Sequence, residues 1–258
     1  MNKDLVSIII TSYNKEKYIK KSIRSALNQT YKKKEVIVFD DCSSDNSISI
    51  IRKKKNIKLL INKDKKKKSS PLNQINAIMK SLAKAKGKYI FLLDGDDEYK
   101  NDKVEIIMNY FKQNIHFKMI QDKPSLRNRK NFFNFKKKNH FFSIWPSIYP
   151  TSCIAIKKDY FLKFLKFIEK NKYDNLEIDS RLVIYTFLNN DLKILENSHT
   201  FYNIDNYGIS SKYIKFNKNW WKKRNEAFDY MQNLSNKLNL KFLKGPDYIV
   251  TKILNLFF

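Results

Sequence analysis

Short apolar segments alternate with helical patterns over the first part of the chain, and this order restricts the fold more than any other feature. Residues 6–11, 35–39 and 89–93 are rich in β-branched and other apolar side chains, as is typical of strands buried on both faces. Helical patterns lie between them, and in residues 15–28 the apolar side chains fall on one face. Strands joined through helices form right-handed crossovers. The sequence therefore predicts an α/β fold whose central sheet is mostly parallel and flanked by helices.

Weaker patterns extend this order through the rest of the chain. We predict further strands over residues 57–61, 116–120, 152–156, 192–195 and 200–202, and further helices over 46–53, 71–84, 101–111, 158–171, 176–189 and 217–237. A basic, aromatic-rich loop is predicted over 122–140. The apolar tail, residues 248–258, either docks on the core or contacts a membrane or a partner.

Polar clusters follow three of the predicted strands. Thr11 and Tyr13 come at the end of the first strand, and Asp40 and Asp41 come at the end of the second. Residues 94–97, Asp-Gly-Asp-Asp, end the strand that begins at residue 89. In parallel sheets, ligands bind beyond the carboxyl ends of the strands. We therefore expect the three clusters to converge on one crevice.

The acidic cluster itself has two interpretations. Asp94, Asp96 and Asp97 would repel one another beside an apolar interior, and a divalent cation with phosphate ligands would remove that cost. Asp94 and Asp96 point the same way along an extended backbone, and Gly95 allows a ligand to approach closely. The alternative is a turn of Asp and Gly that caps the next helix.

The net charge of +27 could indicate a nucleic-acid or anionic-membrane partner. The lysines, however, are spread over the whole chain, and the chain is also rich in Asn, Ile, Phe and Tyr, which A/T-rich codons encode. Biased composition explains this pattern without a selected partner. We therefore expect no specific nucleic acid, with weak attraction to acidic lipid headgroups as a by-product.

Length and cysteine usage set the remaining bounds. The 258 residues, 42% of them hydrophobic, suffice for one large α/β domain or two small ones. Cys42 and Cys153 are too few for a disulfide framework and lack metal-ligand spacing. Neither a run of about 18 apolar residues nor a signal-peptide pattern is present. We expect a cytoplasmic protein, with peripheral attachment at the inner face of the cell membrane as an alternative.

Four ordered motifs carry a resemblance to a known family. They span residues 6–14, 22–31, 35–45 and 87–97, and the last includes the Asp-x-Asp segment. Together they resemble the family 2 glycosyltransferases, which have the Rossmann-like GT-A fold. Cys42 departs from the pattern because glycine is common at that position in the family. The second half of the chain matches the family much less well.

The resemblance implies a nucleotide pocket at the first two strand ends. Thr11, Tyr13 and Asn14 belong to the opening motif, and Tyr13 is implied to pack against the base. Asp41 is implied to accept a hydrogen bond from a base N–H, with Asp40 as an adjacent alternative. A carboxylate suits a uracil-like imide because it only accepts hydrogen bonds.

The Asp-x-Asp segment is implied to bind the diphosphate end of the donor. Asp94 and Gly95 are expected beside the ribose or base, and Asp96 is expected to ligate Mg²⁺ or Mn²⁺ together with Asp94. Asp97 is expected to support the turn. Many relatives carry an Arg and a His near the end of the catalytic unit, where this chain has Asn203 and Asp205. Asp205 is therefore the third metal candidate.

The family's general base is a carboxylate early in a helix of the acceptor half. Asp179 is the first candidate here and Glu177 the second, while Asp174 stays open. The alternative for these acids is a first helical turn stabilised by the helix dipole. His199 is a further candidate for contact with the metal or the diphosphate.

The resemblance implies an inverting, metal-dependent hexosyltransferase. It would move a sugar from a nucleotide diphospho-sugar, UDP-sugar favoured, to a hydroxyl of a cell-surface glycan or a lipid-linked acceptor in polysaccharide biosynthesis. Residues 1–122 would form the half that binds the nucleotide-sugar, and residues 123–258 the acceptor-binding half with the C-terminal helices. The two halves are expected to form one continuous GT-A unit.

Three other functions remain as alternatives. A nucleotidyltransferase on a similar scaffold would need a glycine-rich phosphate loop, and residues 11–15 contain no glycine. A non-catalytic basic module would bind RNA or an acidic membrane surface through Arg127, Arg129 and Lys130 with nearby phenylalanines. An inactive relative would keep the donor pocket without the chemistry.

Overall fold

The computed structural model describes residues 4–64, 69–126, 145–169, 171–204 and 213–257. In these residues the strands are β1 (Val6–Ser12), β2 (Lys34–Asp40), β3 (Lys58–Ile61), β4 (Tyr89–Asp94), β5 (Glu98–Tyr99), β6 (Met119–Leu126), β7 (Ile154–Lys157) and β8 (Leu192–Tyr202). They form one sheet in the order β3-β2-β1-β4-β7-β6-β8-β5. The fold is therefore α/β with a single central sheet, as predicted.

Helices flank this sheet. They are α1 (Ile19–Leu27), α2 (Ser47–Arg52), α3 (Ser70–Lys84), α4 (Lys103–Gln113), α5 (Lys158–Phe164), α6 (Ile178–Leu188), α7 (Lys218–Lys237) and α8 (Pro246–Leu254). Helix α3 begins as its sequence predicts, because Pro71 lies in its first turn and the Oγ of Ser69 accepts the Leu72 N–H at 3.3 Å. Short 3₁₀ turns lie at Thr151–Cys153, Leu165–Phe167 and Asn255–Phe257.

Strands β1 to β4 are parallel to one another. Strand β1 pairs with β2 on one side and β4 on the other, and β2 pairs with β3. Strand β7 is antiparallel to β4 and to β6, while β8 runs parallel to β6 and antiparallel to β5. The sheet is thus mostly parallel. The carboxyl ends of β1, β2 and β4 consequently lie at one edge.

Each buried strand contributes to a hydrophobic core on either side of the sheet. In β1, Ile9 packs in the core that contains α3, α6 and α7, whereas Ile8 and Ile10 pack in the core that contains α1 and α4. The same alternation places Leu92 and Phe91 of β4 in different cores. Side chains of a strand point alternately to its two faces, so a fully apolar run is what a covered sheet requires.

A glycine fixes the start of β4 against β1. A Cβ added at Gly87 would lie 2.4 Å from the backbone nitrogen of Ser7, which no side chain can tolerate. The Gly87 N–H donates to the Oγ of Ser7 at 2.8 Å and to Oε1 of Glu35 at 3.2 Å. This close approach sets the register that carries the acidic cluster to the end of β4.

Several elements differ from the sequence-based prediction. The two short strands predicted at 192–195 and 200–202 form the single strand β8, and β5 was not predicted. The loop predicted over 122–140 is wrong for residues 122–126, which belong to β6, and the rest of it lies outside the described residues. Helix α5 ends at Phe164, before its predicted end at 171. Among the described residues, no helix is both long and apolar enough to span a bilayer.

Strand β6 also crosses the predicted division of the chain at residue 122. Strands on both sides of that position hydrogen-bond within the same sheet, since β4 pairs with β7 and β5 pairs with β8. The division into a donor half and an acceptor half stays a prediction about function.

Candidate active site

The polar clusters that follow β1, β2 and β4 share one edge of the sheet. Thr11 of β1 is paired in register with Phe39 of β2 and with Asp94 of β4. Ser12 is paired with Asp40. The Oγ1 of Thr11 donates a hydrogen bond to Oδ1 of Asp94 over 3.1 Å. The strand order therefore brings the clusters together at one place.

Asp94 ends β4 and is held by two neutral donors. Its Oδ1 accepts from the Oγ1 of Thr11 and from the Nε2 of Gln74, the latter at 2.8 Å. Burial and the charge of Asp96 raise the pKa of Asp94 to about 6. The two hydrogen bonds and the nearby ammonium of Lys15 oppose that rise. A carboxylate in this position is stabilised by any additional cation beside it.

Asp96 meets a basic side chain from the loop after β1. The Nζ of Lys15 lies 2.6 Å from Oδ2 of Asp96, and both side chains are largely buried. The backbone N–H of Lys15 donates to the Oγ of Ser47 at 2.8 Å, which fixes the loop against α2. The lysine is therefore positioned directly at the acidic cluster.

Asp97 lies behind this cluster and supports its turn. Its Oδ1 accepts the backbone N–H of Asn203 at 2.8 Å, and its Oδ2 accepts the hydroxyl of Ser152. The Oγ of Ser152 in turn accepts the backbone N–H of Asp94 at 2.9 Å. Burial, Asp96 and Asp94 raise the pKa of Asp97 well above its usual range. These contacts match the supporting role predicted for Asp97.

Gly95 lies tightly between β1 and α1. Its backbone N–H donates to the carbonyl of Thr11 at 2.8 Å, and a Cβ at this position would lie 3.0 Å from that same oxygen. The side chains of Ile19 and Lys15 would lie 3.4 Å from the added atom. The absence of a side chain lets the acidic turn approach β1 closely.

Two residues with positive φ connect the loops that follow β1 and β2. Asn14 has φ 51° and Cys42 has φ 59°. The Oδ1 of Asn14 accepts the Ser44 N–H at 2.8 Å, while the Asn14 N–H donates to the Oγ of Ser43 at 2.9 Å. Asn14 thus holds the two strand ends together. The left-handed conformation at Cys42 accounts for the glycine that is common at this position in the family.

The pair Asp40 and Asp41 divides into two structural roles. Asp40 is fully buried, and its two oxygens accept the N–H of Ser43 at 2.8 Å and the hydroxyl of Ser43 at 2.7 Å. Asp41 is 9% exposed, and its Oδ1 accepts the Nδ2 of Asn62 at 2.6 Å. Tyr13, which follows the end of β1 and precedes Asn14, is 51% exposed. Tyr13 and Asn14 are therefore the exposed members of the predicted nucleotide pocket, and Asp41 is more accessible than Asp40.

The predicted base lies at the start of α6. Glu177 precedes the helix, and its Oε1 accepts the Nζ of Lys223 at 2.6 Å. Asp179 lies in the first turn, where its Oδ1 accepts the Ser180 hydroxyl at 3.2 Å. Burial and then Glu177 raise the pKa of Asp179 to about 7, while Lys223 lowers it. Asp94 also contributes to that rise. The charge of Asp94, at the end of β4, thus acts on Asp179 at the start of α6.

The remaining candidates lie elsewhere or outside the described residues. The backbone carbonyl of Asp174 accepts the Oγ of Ser69 at 2.5 Å, and Asp174 is exposed. His199 is buried on β8, with its Nδ1 3.7 Å from Oδ1 of Asp102. Asp205, and the basic loop with Arg127, Arg129 and Lys130, lie outside the described residues.

A buried polar network behind the acidic cluster was not predicted. Lys103 is fully buried, with its Nζ 2.9 Å from Oδ1 of Asp122 and 2.6 Å from the carbonyl of Ser152. The hydroxyl of Thr200 donates to Oδ2 of Asp122 at 2.8 Å. Because Ser152 also bonds Asp97, this network supports the turn. In a chain with 52 basic residues, nothing in the sequence distinguishes Lys103, Lys15 or the neutral donors Gln74 and Ser152.

The acidic cluster fits a hard divalent cation. Among the described residues, no three acidic, cysteine or histidine side chains are grouped as a complete metal site. Mg²⁺ and similar ions, however, bind through one or two carboxylates plus substrate phosphates. Asp94 and Asp96 supply such a pair, and burial together with the charge of Asp96 raises the pKa of Asp94, which a cation beside it would lower. These two carboxylates are therefore suitable ligands for such an ion.

Comparison with known proteins gives the family. The model of Glycosyl transferase family 2 matches residues 7–165. An uncharacterised glycosyltransferase of Haemophilus influenzae is 44% identical over 118 residues, which cover 44% of this chain and 45% of that protein. The Escherichia coli UDP-Glc:alpha-D-GlcNAc-diphosphoundecaprenol beta-1,3-glucosyltransferase WfaP is 40% identical over 101 residues, 39% of each chain. The matches cover less than half the length of these curated relatives.

Solved structures resemble the fold. S. aureus TarS 1-349 in complex with UDP-GlcNAc has a TM-score of 0.60 at 16% identity, covering 94% of this chain and 69% of that chain. The mannosyltransferase PcManGT from Pyrobaculum calidifontis, in complex with GDP-Man and Mn2+, has a TM-score of 0.60 at 14% identity, covering 98% and 69%. The predicted GT-A fold is confirmed, and this chain belongs to glycosyl transferase family 2.

Proposed function

We propose that this glycosyltransferase moves a sugar, with inversion, from a nucleotide diphospho-sugar to an acceptor hydroxyl. The observation that carries the proposal is the acidic cluster at the end of β4, where Thr11 and Gln74 hold Asp94 and Lys15 pairs with Asp96. Asp94 belongs to the edge where the donor is expected, and it raises the pKa of Asp179, the expected base. A base with a pKa near the working pH is effective in proton transfer.

On the donor side, the nucleoside lies against Tyr13 and the loop held by Asn14, and Asp41 accepts a hydrogen bond from the base. Thr11 and Gln74 hold Asp94 in place from two elements. UDP-sugar is the favoured donor. The relative WfaP, which is named for UDP-Glc, and the TarS complex with UDP-GlcNAc support this choice by analogy.

The diphosphate lies at the acidic cluster. Asp96 and Asp94, with Asp205 as a third candidate, would hold Mg²⁺ or Mn²⁺. When bound, such an ion neutralises the charge that develops on the leaving diphosphate. Lys15 lies at the same place and adds a fixed positive charge for the phosphates once donor binding draws it from Asp96.

On the acceptor side, Asp179 takes the proton of the attacking hydroxyl. Burial and the charge of Glu177 raise the pKa of Asp179 to about 7, and Lys223, which forms an ion pair with Glu177, opposes that rise. The hydroxyl attacks the anomeric carbon on the side opposite the leaving group, which inverts the configuration. The acceptor is a cell-surface glycan or a lipid-linked saccharide, as the name of WfaP describes for that relative.

Donor binding can be tested before any acceptor is known. UDP-, GDP- and dTDP-sugars are added with and without Mn²⁺, and the melting temperature is measured, because a ligand of the folded state raises it. We expect a UDP-sugar with Mn²⁺ to give the largest rise. Asp96→Ala should abolish the metal-dependent part. Asp4→Ala, which changes an acid before β1 at the opposite edge of the sheet, should retain it.

Two outcomes would contradict the proposal. If no nucleotide-sugar raises the melting temperature, the donor pocket is wrongly assigned. If donors bind but the enzyme neither transfers nor hydrolyses the sugar, the chain is an inactive relative. Product stereochemistry, read by NMR from the anomeric coupling, tests inversion separately.

A further inference from the structure

Helix α8 packs against α7 through polar groups and one aromatic ring. The Nη2 of Arg224 on α7 lies 2.7 Å from Oδ2 of Asp247, and its Nε donates to the Oγ1 of Thr251 at 3.0 Å. Thr251 is buried. The next turn follows the same pattern, since the Nδ2 of Asn255 donates to the carbonyl of Trp221 at 3.1 Å. The ring of Tyr248 lies 5.2 Å from that of Phe228, so this side of α8 is the one that contacts the protein.

The opposite side of α8 and of the turn after it is apolar and exposed. Its side chains are exposed by 49% to 83%, and they are Ile249, Val250, Ile253, Leu256 and Phe257. Their spacing of three, four and seven residues places them on one face of a helix. A helix of a globular protein normally buries such a face. We call this set the C-terminal apolar face.

Further exposed apolar side chains lie at the start of α7. Ile214 is 71% exposed and Phe216 is 63% exposed. The ring of Phe216 lies 6.2 Å from that of Trp221, the residue whose carbonyl binds Asn255. The apolar surface therefore extends from the end of α8 toward the beginning of α7. Scattered single apolar residues need no explanation, but a continuous group of this kind indicates a binding surface.

The charge around this surface is positive. Residues 213–257 contain nine basic and three acidic side chains. The acids are engaged locally, since Asp247 pairs with Arg224, Asp229 with Lys252, and Glu226 with Asn175. Exposed lysines lie close in sequence to the apolar residues, at positions 215, 222, 241 and 244. The Nζ of Lys215 lies 4.9 Å from the centre of the Phe216 ring, and that of Lys244 lies 5.6 Å from the centre of the Tyr248 ring. The exposed surface of this region is consequently positively charged.

We propose that the C-terminal apolar face and its lysines bind the surface of an anionic lipid bilayer. Helix α8 lies in the plane of the interface, its apolar side chains enter the acyl boundary, and the lysines contact the acidic headgroups. An apolar stripe alone fits many partners. The combination with a lysine border favours an anionic bilayer over an apolar protein groove.

Helix α7 joins this surface to the proposed base. The carbonyl of Trp221 accepts a hydrogen bond from Asn255 at the end of α8, and Lys223 of the same helix binds Glu177 beside Asp179. A bilayer on this face would suit the proposed use of a lipid-linked saccharide as the acceptor. The purpose of the docking rests on the proposed function, whereas the docking itself is measured without any sugar.

Vesicle co-sedimentation tests the docking directly. The full chain is mixed with vesicles of phosphatidylglycerol and phosphatidylcholine, or of phosphatidylcholine alone. We expect the chain to bind the anionic vesicles and to bind the neutral vesicles much more weakly. The double variant Ile253→Ser/Leu256→Ser should bind the anionic vesicles at least about tenfold more weakly. The control Ile115→Ser/Leu162→Ser removes two exposed apolar side chains elsewhere and should bind as wild type.

A second pair of variants tests the charge. Lys215→Gln/Lys222→Gln/Lys244→Gln should weaken binding at least about tenfold, since each lysine near an anionic surface contributes on the order of 1 kcal/mol. Lys55→Gln/Lys112→Gln/Lys163→Gln lowers the net charge equally at exposed positions away from the face and should have a much smaller effect. The melting temperature of each variant is measured to check that the variant is folded.

Three results would overturn the proposal. One is equal vesicle binding by the Ile253→Ser/Leu256→Ser variant and wild type. Another is a fall of the same size in both lysine variants, which would assign binding to net charge. The third is self-association of wild type that the apolar variant abolishes, with no vesicle binding, which would assign the face to a second copy. Vesicle binding with this pattern but no donor-induced melting shift leaves the docking intact and refutes the proposed function instead.

Discussion

The ammonium of Lys15 lies 2.6 Å from Oδ2 of Asp96, so a basic side chain occupies the place where a divalent cation is expected to contact the donor's phosphates. Lys15 also lowers the pKa of Asp94. A single lysine therefore compensates part of the negative charge of two acids. In the proposed site it would compete with a metal ion for Asp96 and would support the phosphates once that ion is bound.

Lys15→Met should increase the affinity for Mn²⁺ alone by about tenfold, because removal of one positive charge near the acids strengthens their attraction for another. The same variant should weaken binding of the nucleotide-sugar. Electron paramagnetic resonance of free Mn²⁺ measures the first effect, and the donor-induced melting shift measures the second. Lys17→Met, an exposed lysine two residues away, is the matched control. Unchanged Mn²⁺ affinity in the Lys15 variant would exclude the competition.

Asp179→Asn should lower kcat by about 10²–10⁴ while donor binding persists, because the amide cannot accept the acceptor's proton. The wild-type kcat should rise as the pH rises through about 7, since Asp179 must lose its proton to act as the base. The residual kcat of the variant should not show this rise with pH. Glu177→Gln and Asp174→Asn test the other candidates. If one of these variants loses activity and Asp179→Asn does not, the residue changed in that variant is the base.

Lys103→Met should destabilise the fold by about 3–5 kcal/mol, because it leaves the carboxylate of Asp122 buried without its cation. Chemical denaturation measures this loss. The double variant Lys103→Met/Asp122→Asn should recover part of it, since an amide costs less to bury than an unpaired charge. No recovery in the double variant would show that the lysine's bonds to Ser152 and Thr200 account for the effect.

Cys42→Gly should stabilise the fold by about 0.5–1 kcal/mol, since glycine adopts the left-handed conformation without the cost that a Cβ brings. The lost contact of the Cys42 thiol with the carbonyl of Asn62, at 3.1 Å, reduces the gain only slightly. Asn56→Gly is the control, because Asn56 has φ 60° but asparagine tolerates that conformation. Equal changes in both variants would argue against backbone strain at Cys42.

The donor side of the fold could be predicted because its signals are local. The β-branched runs of β1 and β2 and the apolar run of β4 each identify a buried strand, and the polar residues directly after them identify the edge. The metal and nucleotide roles of these residues stay predictions. Asn14 and Cys42 show why short motifs are informative here, since each has a backbone conformation that few residues adopt.

The rest depends on contacts between distant parts of the chain. The pairing of Lys103 with Asp122, and of Lys15 with Asp96, joins residues whose types are common throughout the sequence. Strand β5 is only two residues long and carries no pattern of its own. In β8 the polar stretch around Glu196 interrupts the apolar pattern, which is why two strands were predicted instead of one.

Strand β4, which ends at the acidic cluster, is hydrogen-bonded to β7 from the second half of the chain, and β5 is hydrogen-bonded to β8. Exchange of residues 1–122 between two relatives would therefore join strands that have not evolved together. Chimeras that alter donor choice should instead graft the loops that follow β1 and β2. Such grafts keep every interstrand contact of the recipient while they change what surrounds the nucleoside.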